Sequence, residues 1–263
     1  MLKNALRKIK SQAAKSRAVV AFVNWYRNRV RHSFTTVREQ LSGRHGLEIG
    51  GPSRIFSRSG PFPVYALVSS LDNVNFSDAN FWSTIPAGAN FRYDENKPCG
   101  QQIIADAVDL SVIADESYDL LIASHVIEHI ANPIRALKEW RRTLKPGGVA
   151  VIVAPDKRFT YDRNRPLTPL SHVLEDYHTN MTEDDDTHLD EVIRLHDLTN
   201  DGTVSSFEEH RARTLDNRVT RITHHHVFDI DLLADMLKAA DFTILKQDVF
   251  RPYHLLVVAQ RNS

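Results

Sequence analysis

The sequence predicts an α/β fold, an open and mostly parallel sheet with helices packed against it. Three observations carry that reading. Residues 46–53, Gly46-Leu47-Glu48-Ile49-Gly50-Gly51-Pro52-Ser53, form a short apolar strand that runs into a turn only small residues make easily. Residues 118–123, 133–144 and 149–154 read as strand, helix and strand with short joints. Such a unit makes its two strands parallel and its crossover right-handed. Residues 242–250 and 253–260 then alternate like an antiparallel pair joined at Arg251-Pro252.

Each element has its local reason. The apolar run 64–68, Val-Tyr-Ala-Leu-Val, is expected to be the second strand, with Asp72 shortly after it, and residues 102–105 the third, ending at Asp106 and Ala107. Asn132-Pro133 starts a helix well, because a capping side chain is followed by proline at the first helical position. Ile134, Leu137, Trp140 and Leu144 keep helical spacing, and Lys145-Pro146-Gly147-Gly148 stops the run. Asp229 is a cap for a helix through Ala240. Between the fifth strand and that helix, residues 156–228 are polar and rich in His, Asp and Arg; so long an interruption reads as a functional lid.

The chain has 263 residues, 42% hydrophobic and 25% charged, the composition of a soluble globular protein. Its single cysteine, Cys99, excludes an intrachain disulfide and fits a reducing, cytoplasmic setting. No apolar run approaches the ~20 residues that span a bilayer, and no signal-peptide pattern is evident. Net charge is +0 but unevenly placed: residues 1–44 hold 11 basic residues and one acid, and the remaining residues, 45–263, carry a balancing −10. This divides the chain into a basic helical arm, 1–44, and a main domain, 45–263. A basic amphipathic helix suits peripheral contact with an anionic membrane or an acidic partner; the alternative is a helix packed on its own domain. Nucleic acid is not expected, because no recognised binding module accompanies the charge.

An open α/β sheet binds ligands at the carboxyl ends of its strands. Small or polar residues stand there: Gly50 and Gly51, Asp72, Asp106 and Ala107, Ser124 and His125. The set suits a nucleoside, and the absence of Gly-Lys-Ser/Thr argues against a nucleoside triphosphate. The stretches LEIGGPS, ADAVDLS, SYDLLIASHVIEHIANP and LKEWRRTLKPGGVAVIVAP resemble those of class I S-adenosylmethionine-dependent methyltransferases of the type 11 group. That resemblance implies a Rossmann-like, seven-stranded, mostly parallel sheet and S-adenosylmethionine as cofactor. It implies that Glu48, Gly50, Gly51, Pro52 and Ser53 hold the methionine part, Asp72 the ribose and Asp106, with Ala107, the adenine, while Ser124 and His125 border the pocket. Pro52-Ser53 departs from the family's further glycine in the loop.

Residues 125–129 spell H-x-x-E-H, an inverted zinc-protease motif. Zinc binding there requires both histidines on one helix face, whereas these five residues occupy a strand–helix joint. Methyl transfer to a hydroxyl needs a proton acceptor, usually histidine near neutral pH. His225, His226 and His129 are the candidates, and three consecutive histidines cannot all face one site. A metal site among the lid's His and Asp residues is the alternative; their spacing matches no standard motif, so no metal is assigned. The expected acceptor is a sugar, glycan or other small polyhydroxylated molecule. Two other readings stay open. Aminopropyl transfer would use an acidic polyamine site at 183–186, and a non-catalytic cofactor-binding scaffold would regulate a partner through the basic arm. The sequence leaves the oligomeric state open.

Overall fold

The computed structural model describes residues 34–79 and 84–263. Residues 34–41 form helix α1; the expectation of an arm helix over 1–33 lies outside the described residues. Among the described residues, eight strands make one sheet: β1 (His45–Ile49), β2 (Ser70–Asn75), β3 (Gly88–Phe91), β4 (Gly100–Ile104), β5 (Tyr118–Ser124), β6 (Leu144–Pro155), β7 (Phe242–Phe250) and β8 (His254–Arg261). Their order is β3-β4-β2-β1-β5-β6-β8-β7. The central pairs β4–β2, β2–β1, β1–β5 and β5–β6 are parallel, and β8 lies antiparallel between β6 and β7. The mostly parallel sheet is as expected, with one extra strand. β3 adds an antiparallel edge to β4. Of its four residues only Phe91 is buried, so no alternation marked it in the sequence.

The second strand is displaced from its expected place. Residues 64–68 begin with a 3-10 turn, Val64–Ala66, and do not form a strand. Val64, Tyr65 and Val68 are buried as a plug beneath the first glycine loop. A short apolar run cannot be told from such a plug by periodicity alone. The strand is SLDNVN, and its polar residues are the reason it was not seen. Asn73 and Asn75 are buried because their amides bind the loop: Asn73 Oδ1 accepts from Gly51 N at 2.8 Å, and Asn75 Nδ2 donates to Gly51 O at 3.3 Å.

The other elements form where their chemistry puts them. Helix α2 (Pro133–Thr143) is capped by Asn132, whose side chain accepts from Arg135 N, with proline at its start. Four short helices follow in the lid: α3 (Leu170–His178), α4 (Leu189–Leu195), α5 (Phe207–Leu215) and α6 (Asn217–Thr220). Asp229 caps α7 (Ile230–Ala239) through Leu232 N. Alternate residues of the central strands feed two cores. Leu121, Ala150 and Ile152 face the side covered by α2, α3 and α7, with fully buried Trp140 at its centre. Leu120, Ile122, Val149 and Val151 face the side covered by α1 and the plug. Val37 and Leu41 of α1 belong to that second core, and Phe34 meets Phe62 edge-on at 4.9 Å. The last turns of the expected arm, 34–41, are therefore part of the domain.

Candidate active site

β1 delivers the chain into the loop at Gly50, which takes φ +77°, a left-handed conformation costly for other residues. A Cβ there would also stand 2.5 Å from Val126 Cγ2, and one on Gly51 would stand 2.3 Å from Glu48 Cδ. The loop is thus pressed between the β5 turn and the acid beneath it. Glu48 is fully buried and does not line the cavity above; the expectation that it contacts the cofactor is corrected to a buttress. Tyr65 OH donates to its carboxylate at 2.7 Å, and Ser53 N donates at 3.0 Å. Burial raises the Glu48 carboxyl to about 7, against the opposing pull of its Ser53 and Tyr65 hydrogen bonds. The loop's amides at Gly50, Gly51 and Ser53 all have protein acceptors, so the loop offers no nest for a phosphate.

Above the loop lies a cavity of about 940 Å³, at the carboxyl ends of the parallel strands. Gly50, Gly51, Pro52, Ser53, Asp106, Ala107, Ser124, His125 and His129 all line it, so the structure brings most of the expected set together. Asp72 stands apart. It sits in the first half of β2, where its carboxylate accepts from Tyr118 OH at 3.0 Å and Gln101 N at 2.8 Å. Moving the strand six residues along the chain carried Asp72 away from the rim, and Asn75 and Phe76 stand at the rim instead. Among the described residues, no acid takes the expected ribose position there. Asp106 is at the rim as expected, with a lid partner: Arg221 Nη1 donates to its Oδ2 at 2.6 Å, and the guanidinium lies over Phe76 at 5.0 Å. Arg221 and Glu183 are the lid residues that border the cavity.

Three histidines, His125, His129 and His254, also line the cavity. His125 follows β5 at φ +56°, and residues 127–129 form a single 3-10 turn, so the H-x-x-E-H stretch is not one helix face. His125 Nδ1 lies 3.3 Å from Glu128 Oε1, and its Nε2 lies 2.9 Å from His254 Nδ1. His254 and Tyr253 also line the cavity, and sequence reading missed both. The signal was present: in an antiparallel neighbour of β6, the first residues after Arg251-Pro252 fall at the carboxyl rim, where His254 pairs with Pro155. Burial disfavours charge on Glu128, but the His125 hydrogen bond and the nearby imidazoles outweigh it and hold the carboxyl below its usual range. An ionised Glu128 accepts the Nδ1 proton of His125. The Nε2 of His125 then accepts from His254 Nδ1, which leaves a lone pair on His254 Nε2. Burial lowers His254 to about 3 and His129 to about 4, so both imidazoles are neutral near pH 7.

His225 and His226 do not reach the cavity. Both are buried inside the lid, His225 beside Asp185 at 3.3 Å and Asn217 at 3.2 Å, and His226 against Asp176 at 3.0 Å. The expectation that either is the base is corrected on that ground, and His129 remains. His224 pairs with Asp162 at 2.5 Å and Tyr161 OH at 2.7 Å. Its burial opposes charge, yet the Asp162 carboxylate wins and raises its pKa.

Residues 22–247 match a methyltransferase-domain family. A curated relative, an uncharacterized 37.1 kDa protein in transposon TN4556 of Streptomyces fradiae, is 38% identical over 65 residues, 25% of this chain and 19% of that one. The chain thus matches only about a fifth of that relative's length. Among solved structures, an S-adenosylmethionine-dependent methyltransferase from Mesorhizobium loti aligns at TM-score 0.48 and 14% identity, over 88% of this chain and 96% of that one. Another from Methanosarcina mazei aligns at TM-score 0.44 and 14% identity, over 86% and 97%.

Proposed function

The chain belongs to the methyltransferase-domain family, and from that membership we propose that it moves the methyl group of S-adenosylmethionine to a hydroxyl of a sugar, glycan or similar small polyhydroxylated acceptor. The observation that carries the oxygen acceptor is the Glu128–His125–His254 relay, which opens on the same cavity as the glycine loop. The cofactor's methionine part would lie on Gly50 to Ser53, with Asp106 and Ala107 against its adenine. The sulfonium is already activated, so alignment of methyl and hydroxyl accounts for most of the rate. As the oxygen–methyl bond forms and the sulfur–methyl bond breaks, the hydroxyl proton passes to His254 Nε2. His254 alone is a weak base. Handing its Nδ1 proton to His125 leaves the positive charge beside Glu128, where the carboxylate offsets it. His129 is the second neutral imidazole at that end of the cavity.

Aminopropyl transfer has less support. Of the acidic run, only Glu183 borders the cavity, and its carboxylate already accepts from Ala131 N at 3.2 Å. Asp184 is exposed beside Arg218, and Asp185 is held by His225 and Thr187.

Calorimetric titration with S-adenosylmethionine is the first test. Asp106→Ala is expected to weaken binding by roughly 1–3 kcal/mol, the scale of a lost hydrogen bond to an acid. A labelled-methyl assay on polyol and glycan fractions follows. No cofactor binding sinks the reading; tight binding with no label on any hydroxyl acceptor leaves the scaffold in its place.

A further inference from the structure

A second cluster of histidines lies within the lid, away from the cavity. His172 and Asp176 are on α3, His188 immediately precedes α4, and His226 is on the segment that returns to α7. One ring nitrogen from each of the three histidines comes within 4.8 Å of the others. The Nε2 atoms of His172 and His188 face each other at 3.2 Å. Two nitrogens sharing a tetrahedral zinc ion, at 2.0–2.1 Å each, stand about 3.3 Å apart. Two carboxylates flank the rings: Asp176 Oδ2 is 3.0 Å from His226 Nε2 and 3.7 Å from His172 Nε2, and Asp185 Oδ2 is 3.7 Å from His188 Nε2. His225 Nδ1 also faces Asp185, at 3.3 Å.

A His–His hydrogen bond alone would explain one of these contacts. It does not explain the third ring. His226 is buried, its Nε2 faces the Asp176 carboxylate, and its Nδ1 has no hydrogen-bond partner among the described residues. A histidine that gives one N–H to a carboxylate leaves a lone pair on the other nitrogen, the arrangement found around metal-bound histidines. The nearby group Glu128, His129 and His224 also converges. There, however, both nitrogens of His224 are engaged, by Asp162 and Tyr161, and His129 Nδ1 faces Thr223 O. Free ligand capacity distinguishes the lid cluster.

We propose that His172, His188 and His226, supported by Asp176 and Asp185, bind a zinc-class divalent cation that staples the lid. The ion joins three segments that are distant in sequence: α3, the start of α4 and the 223–226 strap. His172 is partly exposed and gives the ion a way in. The role is structural. Lid residues Glu183 and Arg221 border the cavity, so the staple fixes that wall while the methyl-transfer chemistry stays on the sheet.

The test uses the untagged full chain, stripped with chelator and titrated with zinc chloride by calorimetry, with bound metal counted by mass spectrometry. The expected result is one zinc per chain and a higher unfolding temperature with zinc than without. His172→Ala and His188→Ala each weaken binding about hundredfold or more, and Asp176→Asn about 10- to 100-fold. His178→Ala, an exposed lid histidine outside the cluster, binds as the parent does. Circular dichroism of each stripped variant shows whether it folds; His172, at the edge of the site, keeps the test sound if a buried variant does not. No stoichiometric uptake by the parent overturns the proposal, as does parent-like affinity in both His172→Ala and His188→Ala. None of these readouts depends on methyl transfer, so failure here leaves the proposed reaction untouched, and the reverse.

Discussion

Glu48→Gln isolates the buttress under the glycine loop. The folded carboxyl titrates at about 7 and its unfolded counterpart at 4.5. Between those values the folded chain keeps a proton that the unfolded chain has lost. The stabilisation from Glu48 is therefore complete below 4.5 and disappears as pH rises through about 7. The full span is on the order of 3 kcal/mol, and most of it falls between pH 5 and 8. Glutamine keeps the shape and an acceptor for Tyr65 and Ser53 but has no proton to lose. Stability of the variant relative to the parent is thus expected to rise by roughly 2–3 kcal/mol from pH 5 to 8. Urea unfolding followed by tryptophan fluorescence, at each pH unit, measures the difference; groups that titrate alike in both chains cancel. A second readout follows from charge. S-adenosylmethionine is cationic at sulfur and nitrogen, so if it lies on this loop as proposed it favours the ionised acid, and parent affinity should tighten from pH 6 to 8 while the variant's does not. A stability difference that stays flat or shrinks with pH would refute the reasoning, because Glu48 would then not hold its proton in the fold.

Gly50→Val combines a left-handed φ with a clash at Val126, and is expected to abolish detectable cofactor binding in calorimetry while the circular dichroism spectrum stays that of the parent. His254→Gln is expected to lower turnover roughly 10²-fold with cofactor affinity unchanged; equal turnover would remove His254 from the reaction. Trp140 is fully buried and its indole N–H donates to Ala107 O at 2.9 Å, so Trp140→Ala should cost about 3–5 kcal/mol in urea unfolding. If the basic residues before α1 contact anionic lipid, the full chain sediments with acidic vesicles at low salt and dissociates as salt screens the charge. A chain beginning at Phe34 keeps α1 in the core and stays in solution; equal sedimentation of both would end the membrane reading.

Legibility in the sequence followed how much of each element's burial was apolar. β1, β5, α2, β6 and β8 declare themselves because most of their buried positions are apolar at the right period, and β7 alternates beside β8 with Phe242 and Phe250 buried at its ends. β2 does not, since its buried positions include Asn73 and Asn75, whose amides serve a loop more than twenty residues earlier. The apolar run that stood in for it is real hydrophobic burial with a different geometry. The same displacement explains Asp72: its assignment depended on where a strand ended, and that end was set by polar contacts. The glycine loop, Asp106, Ser124 and His125 were readable because each abuts a well-marked strand. His254 was not, because its place at the rim depends on the antiparallel return of β8.

The lid histidines expose a different limit. His225 and His226 do point inward, but into the lid's own interior. That interior and the histidine-lined part of the cavity are nevertheless joined. His225 N donates to Glu128 O at 2.8 Å, His129 Nδ1 lies 3.3 Å from Thr223 O, and the His129 and His224 rings meet edge-on at 4.7 Å. The strap 223–226 therefore hangs on the same turn that carries Glu128 and His129. Buried Arg165 holds the strap from behind, bridging Asp162 and the carbonyls of His224 and His225 at 2.8–3.1 Å. Arg165 does not line the cavity, yet its loss would take the guanidinium from those carbonyls and from Asp162 Oδ1, leaving Asp162 to His224 alone, and let the strap move. For the proposed reaction, the lid would then set the shape beside the acceptor, and the sheet rim would carry the proton. A lid exchanged for one of different length should change which hydroxyl is reached while leaving the Glu128–His125–His254 relay in place.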